Sequence, residues 1–162
     1  MPAVERRRVG GASGGGAASR GAGAIGLRVL AILLGVFFVA TGAGVFAWLT
    51  DSGPLSQRFD EWLDRATPAA RWYIETLALP GIPLFARLVP IAALATGIAL
   101  ILGFWTRLAA TLALVMVLNV HFVAGSFMQW EFLRDGTGLP LLGALLALAI
   151  GGTRLPFAAS SQ

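Results

Sequence analysis

His121 is the side chain best suited to chemistry in this sequence of 162 residues, because it is the only histidine and lies in an apolar stretch. An imidazole exchanges protons near neutral pH and can hydrogen-bond to a carbonyl of a bound ligand. Asn119 lies two positions earlier, so on an ideal helix the two side chains point about 200° apart and meet different neighbours. The alternative role for His121 is a hydrogen-bonded strut between helices. We take His121 as the candidate catalytic residue and both as candidate ligand-binding residues.

Three arginines at the ends of apolar stretches are further candidates for binding a ligand. Arg107 either anchors a turn in anionic headgroups or bonds carbonyls freed at a helix end, or it holds an anionic ligand with Arg28 as its partner. Arg87 either extends to the headgroups or supplies a fixed positive charge near His121, suited to a small anion.

The rest of the composition excludes several classes of site. The chain has no cysteine, which removes disulfides, thiolate metal sites and iron–sulfur clusters. One histidine cannot form a bis-histidine haem site. The net charge of +4 is too small, and its arginines too scattered, for a nucleic-acid surface. We therefore expect no metal, no nucleic acid and no covalently bound cofactor.

The elements that position these residues are predicted to be membrane helices. Hydrophobic residues make up 57% of the chain, more than a soluble globule of this size can bury. Roughly 17–25 apolar residues cross a bilayer core, and four stretches predict spans at about 27–49, 86–105, 108–126 and 137–153. The last contains only a short apolar run, 139–151, so it extends at one end or crosses a thinned membrane. We expect an all-α membrane protein, a four-transmembrane-helix bundle over residues 25–157.

The polar segments complete the predicted organisation. Residues 1–24 are rich in Gly, Ala, Ser and Arg and predict a disordered basic arm, and residues 158–162 form a tail. The loop at 50–85 predicts two short amphipathic helices, either on the bilayer surface or as a cap packed on the spans.

The arginine distribution predicts the orientation. With the amino terminus inside, seven arginines and one acid lie on the inner side, against five arginines and seven acids outside. The positive-inside rule therefore places both termini in the cytoplasm.

Small residues four apart predict where helices approach closely. The candidate motifs are Ala40 with Gly44, Ala93 with Gly97, and Gly143 with Ala147 and Gly151.

One cluster of residues carries a resemblance to a known family. It consists of Gly97, Gly103, Thr106, Arg107, Ala109 and Ala110, followed by Asn119, His121, Phe122, Gly136, Gly138 and Pro140. Together with Arg28, Gly35 and Gly42, this pattern resembles the DoxX/DoxD-like family of small bacterial membrane proteins over about residues 26–155. The resemblance implies a four-helix protein of the bacterial inner membrane, linked to quinone-dependent thiosulfate oxidation or to thiol-redox partners. On this resemblance we expect quinone as a diffusible electron acceptor and thiosulfate as the small anion. The candidate quinone-binding residues are then Arg28, Arg87, Arg107, Asn119 and His121. Many members have a Glu roughly where Ala93 stands.

These observations favour a quinone-facing or docking subunit of a membrane redox complex. On the resemblance, that complex is of the thiosulfate dehydrogenase (quinone) type. The alternatives are a non-catalytic scaffold that recruits soluble redox enzymes and a small transporter subunit. A transporter is disfavoured because no span carries a carboxylate. The expected partners are membrane lipid, a soluble redox protein or second subunit, and a second copy of the chain.

Overall fold

The computed structural model describes residues 15–152, with side chains from residue 22 onward except those of residues 128 and 131. The predicted arm up to residue 14, Arg154 and the tail at 158–162 lie outside the described residues. Within residues 15–152 the chain is helical and contains no strand. The helices are α1 Gly15–Gly44, α2 Gly53–Leu63, α3 Pro68–Tyr73, α4 Ile82–Leu102, α5 Thr106–Val123, α6 Trp130–Arg134 and α7 Leu139–Gly151.

Short irregular helices join these elements. A 3₁₀ helix at Phe46–Leu49 follows α1, a π-helical segment at Ile74–Ala78 continues α3, and a 3₁₀ turn at Ser126–Met128 follows α5. Residues 15–24, which composition assigned to a disordered arm, belong to α1. Their alanines extend a helix already nucleated by the apolar segment behind them, and extension costs far less than nucleation.

Three helices are long and apolar enough to cross a membrane: Ala22–Gly44 within α1, Ile82–Leu102 and Thr106–Val123. Only 22% to 33% of their most apolar windows is buried inside the protein. Large side chains such as Leu33 and Val115 are 62% and 59% exposed. Such surfaces are solvated by lipid, so the chain is a membrane protein.

The fourth predicted span, α7, is too short to qualify by length, so the count of four does not follow from helix length. Its 13 residues rise about 20 Å. Nevertheless α7 packs along α5, with Leu145 and Leu148 completely buried. Its first turn lies near His121, and at its far end the Ala149 carbonyl accepts a hydrogen bond from Arg107, at the start of α5. Helix α7 therefore runs antiparallel to α5 between both ends of the bundle.

We name these two ends of the bundle the His121 end and the Arg107 end. Fourteen residues of α5 separate His121 from Arg107, about 21 Å along the helix axis.

Helices α1 and α4 pack closely through glycines. A Cβ on Gly97 would lie 2.7 Å from the Gly35 carbonyl oxygen, and one on Gly42 would lie 3.1 Å from the Pro90 carbonyl oxygen. Of the predicted small-residue motifs, only Ala93 with Gly97 lies in this contact. Gly44 and Gly143 have open space around them, so those two predictions were wrong. Gly151 meets Leu27 instead of another small residue.

The segment between α1 and α4 forms a cap, which we define as residues 46–79. Leu55 and Phe59 on α2 and Ile74 on the π-helical segment are buried together with Ala86 and Val123 of the spans. Pro68 starts α3, and the Thr67 hydroxyl accepts a hydrogen bond from the Ala70 amide. The two predicted short helices are present, and the interpretation as a packed cap fits better than helices lying freely on a bilayer surface.

Candidate functional site

The His121 ring is held in one orientation by its own helix. Its Nδ1 lies 2.9 Å from the Val117 carbonyl oxygen. A carbonyl only accepts, so Nδ1 carries the hydrogen and Nε2 of a neutral ring is left as an acceptor. The ring also contacts Phe132 edge-on at 5.3 Å and Phe127 at 6.1 Å, measured between ring centroids. This packing directs the chemistry of His121 to a single nitrogen.

The ring faces a cavity of about 490 Å³ at the His121 end, which we call the His121 cavity. Apolar walls come from α1, α4, α5 and α7, including Phe38, Ala93, Val117 and Leu141. Polar groups also line it, from Thr41, Arg58, Gln129, Asp135 and Thr137. A cavity of this size with apolar walls and a few polar groups is typical of a small-molecule site.

Arg58 is the positive charge that α2 brings to this cavity. Its guanidinium carbon lies 5.4 Å from the centroid of the Trp48 ring, a cation–π contact. Sequence reasoning missed Arg58 because only the docking of the cap brings it to the spans. Its position one residue before the buried Phe59 is the signal that could have pointed to it, since α2 buries Leu55 and Phe59 against those spans.

Asp135 is the negative charge of the same cavity, and it too was missed. The Thr137 hydroxyl donates to Asp135 Oδ2 at 2.7 Å, and the Thr137 amide donates to Oδ1 at 3.4 Å. These hydrogen bonds lower the pKa of Asp135 below its ordinary value of 3.8, with a smaller contribution from the charge of His121. An ionised carboxylate therefore stands at the cavity near the imidazole.

Asn119 does not reach the His121 cavity, in agreement with the angular offset predicted from the helix. Its Nδ2 donates to the Tyr73 hydroxyl at 3.0 Å, which ties α5 to the cap. It lines a second cavity of about 180 Å³ beneath α2, which we call the cap cavity.

The predicted binding arginines are also apart from His121. Arg28 donates to the Leu100 and Ile101 carbonyls at 3.2 and 2.7 Å, where α4 ends. Arg107 Nε donates to the Ala149 carbonyl at 2.9 Å, where α7 ends. Both cations thus satisfy carbonyls at helix carboxyl termini and interact favourably with the helix dipoles. Arg107 does bond a carbonyl left without a partner at a helix end, as predicted. That carbonyl belongs to the end of α7, however, and not to the turn in which Arg107 lies.

Arg87 is exposed and lines a small separate pocket beside Trp48 and Thr50. The structure thus places Arg58, not Arg87, in the cavity with His121.

The model of the DoxX family matches residues 26–126, more than half of the chain. The chain belongs to the DoxX family. The match includes Arg28, Arg107 and His121, whereas α7 and the segment from Gly136 to Pro140 lie beyond it. No curated protein and no solved structure matches the chain.

Within the DoxX match, Ala93 lies at the His121 cavity. It is 1% exposed, and it is where the resemblance implied a Glu in other members. Among the side chains that the structure describes, Asp135 brings an acidic group to the cavity, and it comes from outside the matched range.

Proposed function

We propose that this DoxX protein is a membrane subunit that binds a quinone headgroup in the His121 cavity, where a redox partner supplies the electrons that reduce it. The observation that carries the proposal is the His121 ring, which is held through Nδ1 and lines a cavity with mostly apolar walls and a few polar groups. The apolar walls suit the ring of a quinone, and the polar groups suit its two oxygens.

His121 and Arg58 have complementary tasks in this proposal. Nε2 of a protonated His121 donates to one quinone oxygen and delivers its proton when that oxygen becomes a quinol hydroxyl. The Arg58 guanidinium, on the cap side of the cavity, donates to quinone oxygen and stabilises the negative charge that develops there. Asp135 adds an ionised carboxylate to the same cavity.

The electrons come from outside the chain. Reduction of a quinone to a quinol consumes two electrons and two protons. Oxidation of two thiosulfate ions to tetrathionate releases two electrons, and a dithiol oxidised to a disulfide releases two electrons and two protons. The chain contains no cysteine to relay them, so we assign the oxidation step to a soluble redox partner or second subunit docked on this protein. This DoxX chain then serves as the quinone-facing part of the complex.

We further propose four spans in the bacterial inner membrane, with both termini in the cytoplasm. The seven arginines predicted on the side of the Arg107 end, against five on the other side, favour the cytoplasm for the Arg107 end. Helix α7 is short for a span, but it runs beside α5 from one end of the bundle to the other, which supports counting it as the fourth span. The His121 cavity then opens toward the outer leaflet, where thiosulfate and quinone meet.

The test is binding of decylubiquinone to the purified protein in lipid nanodiscs. We expect His121→Ala to weaken binding by about tenfold or more, the value of a hydrogen bond to a charged group. Leu118→Ala is the matched control, because Leu118 is on the same helix, is 38% exposed and lines neither described cavity. Equal affinity of wild type and His121→Ala would refute the proposed site.

A second measurement tests the assignment of the electron source. In vesicles that contain the wild-type protein, quinone should be reduced with thiosulfate as the electron donor only when cell extract supplies the redox partner. If no reduction occurs with extract, while decylubiquinone still binds, the non-catalytic scaffold becomes the better description.

A further inference from the structure

The cap cavity adjoins the His121 cavity and differs from it in character. Its wall is mainly aromatic and aliphatic, with Trp48, Leu55, Phe59, Trp62 and Phe85 as the large contributors. Leu55 and Phe59 are 3% and 6% exposed, so α2 closes this cavity from above. The proposed headgroup chemistry uses none of these side chains.

The two cavities have a common wall. Thr41, Arg58, Val89 and Val120 line both of them. The two cavities therefore adjoin at these side chains, which places the start of a tail on a headgroup bound in the His121 cavity beside the cap cavity. Arg58 stands at the junction and presents its guanidinium on one side to the Trp48 ring.

We propose that the cap cavity binds the first part of the alkyl or isoprenoid tail of the quinone. This inference rests on the proposed function and specifies its substrate class, a quinone with a hydrophobic tail rather than a water-soluble one. The headgroup occupies the His121 cavity, whose apolar walls also carry polar groups, and the tail occupies the cap cavity, whose wall is mainly aromatic and aliphatic. Each part of the ligand is then buried against matching side chains. A tail that extended directly into lipid would gain nothing from the cap.

The experiment compares two probes in one detergent at constant concentration. These are 2,3-dimethoxy-5-methyl-1,4-benzoquinone, which has no tail, and decylubiquinone, which carries the same ring with a decyl chain. Val45→Phe fills the cap cavity from its α1 side, since Val45 lines only that cavity of the two. Val115→Phe is the matched control, because Val115 is 59% exposed and lines neither cavity.

In the wild type and in Val115→Phe we expect decylubiquinone to bind at least about tenfold more tightly than the tail-free quinone, the effect of burying two methylene groups. In Val45→Phe the ratio of the two affinities, decylubiquinone over tail-free quinone, should be about tenfold lower than in the Val115→Phe control. The affinity for the tail-free quinone should stay unchanged, which also shows that Val45→Phe is folded.

Each other result has a distinct meaning. An equal ratio in Val45→Phe and Val115→Phe would overturn the tail site and leave the headgroup site standing. Loss of tail-free binding in Val45→Phe alone would also overturn it, because the two cavities would then not be separate subsites. If neither probe binds to the wild type, the proposed function itself fails.

Discussion

His121 illustrates how a single side chain acquires a defined role from its surroundings. The Val117 carbonyl fixes its tautomer, two phenylalanine rings fix its plane, and Asp135 adds a negative charge nearby. An imidazole on a lipid-facing surface would keep only the hydrogen bond to its own helix and would lack the two rings and the carboxylate. Its chemistry is therefore a property of the cavity at the His121 end rather than of the residue alone.

Asp135 allows a prediction at the same scale. The Thr137 hydroxyl is the largest cause of its lowered pKa, so Thr137→Val should raise the Asp135 pKa toward 3.8. A carboxyl group whose pKa is lower in the folded state than in the unfolded state stabilises the fold at pH values above the unfolded pKa. That stabilisation is lost as the pH falls through the lower, folded value. The Thr137→Val variant should lose much of this pH-dependent stabilisation.

The measurement is a carboxyl-carbon NMR titration of Asp135 in detergent. Thr50→Val is the control, since the Thr50 hydroxyl bonds the Ala47 carbonyl, away from the Asp135 loop. The same Asp135 pKa in both variants would contradict the assignment of its shift to Thr137.

The candidate site could be predicted only in part from the sequence. His121 stands out because it is a lone polar residue in an apolar stretch, and the helical offset correctly separated it from Asn119. Arg58 and Asp135 lie in polar segments with several other charged residues, where nothing local distinguishes them. Their approach to His121 depends on how the cap and the loop before α7 fold onto the bundle, which is long-range information.

At the element scale, the α1 to α4 contact is set by backbone proximity rather than by side-chain interlocking. A Cβ on Gly97 would lie 2.7 Å from the Gly35 carbonyl oxygen and 2.8 Å from the Val39 amide nitrogen. Both are backbone atoms, which cannot move aside without shifting α1. Close approach of this kind is how membrane helices gain packing energy where lipid removes the hydrophobic force between them.

We therefore predict opposite effects for two identical substitutions. Gly97→Ala should destabilise the protein by about 1–3 kcal/mol, as overpacking does. Gly143→Ala, with open space around its position, should be neutral or stabilise by up to about 1 kcal/mol, because alanine favours helix more than glycine. Thermal unfolding midpoints in one detergent measure both. A Gly97→Ala midpoint at or above that of Gly143→Ala would show that the helices are not in close contact here.

The sequence predicted these elements better than it predicted their pairing. The three long helices follow from apolar length, and their observed bounds lie within a few residues of the expected ones except at the start of α1. Small residues four apart recur often in an apolar chain rich in Ala and Gly, so the motif at Ala93 and Gly97 could not be distinguished from that at Ala40 and Gly44. Which helical face meets a neighbour is decided by the whole bundle.

At the scale of the whole molecule, the question is whether the chain crosses the membrane an even number of times. Helix α7 is shorter than the roughly 30 Å hydrocarbon core, yet its last turn bonds Arg107 and its first turn borders the His121 cavity. If α5 crosses the bilayer, the end of α7 must arrive at the face where α5 begins. A locally thinned bilayer accommodates the mismatch at a cost of fractions of a kcal/mol per Å.

The absence of native cysteine makes this testable by single-cysteine labelling in intact cells. Asp60→Cys in α2 and Gly136→Cys before α7 should react with a membrane-impermeant maleimide added outside, because both positions are exposed at the His121 end. Ala158→Cys should react only after the cells are permeabilised. Labelling of all three from outside would mean that α7 returns to the outer face and that the chain has three spans. Labelling of residue 158 alone from outside would keep four spans but invert the proposed orientation, and with it the side from which a redox partner reaches the His121 cavity.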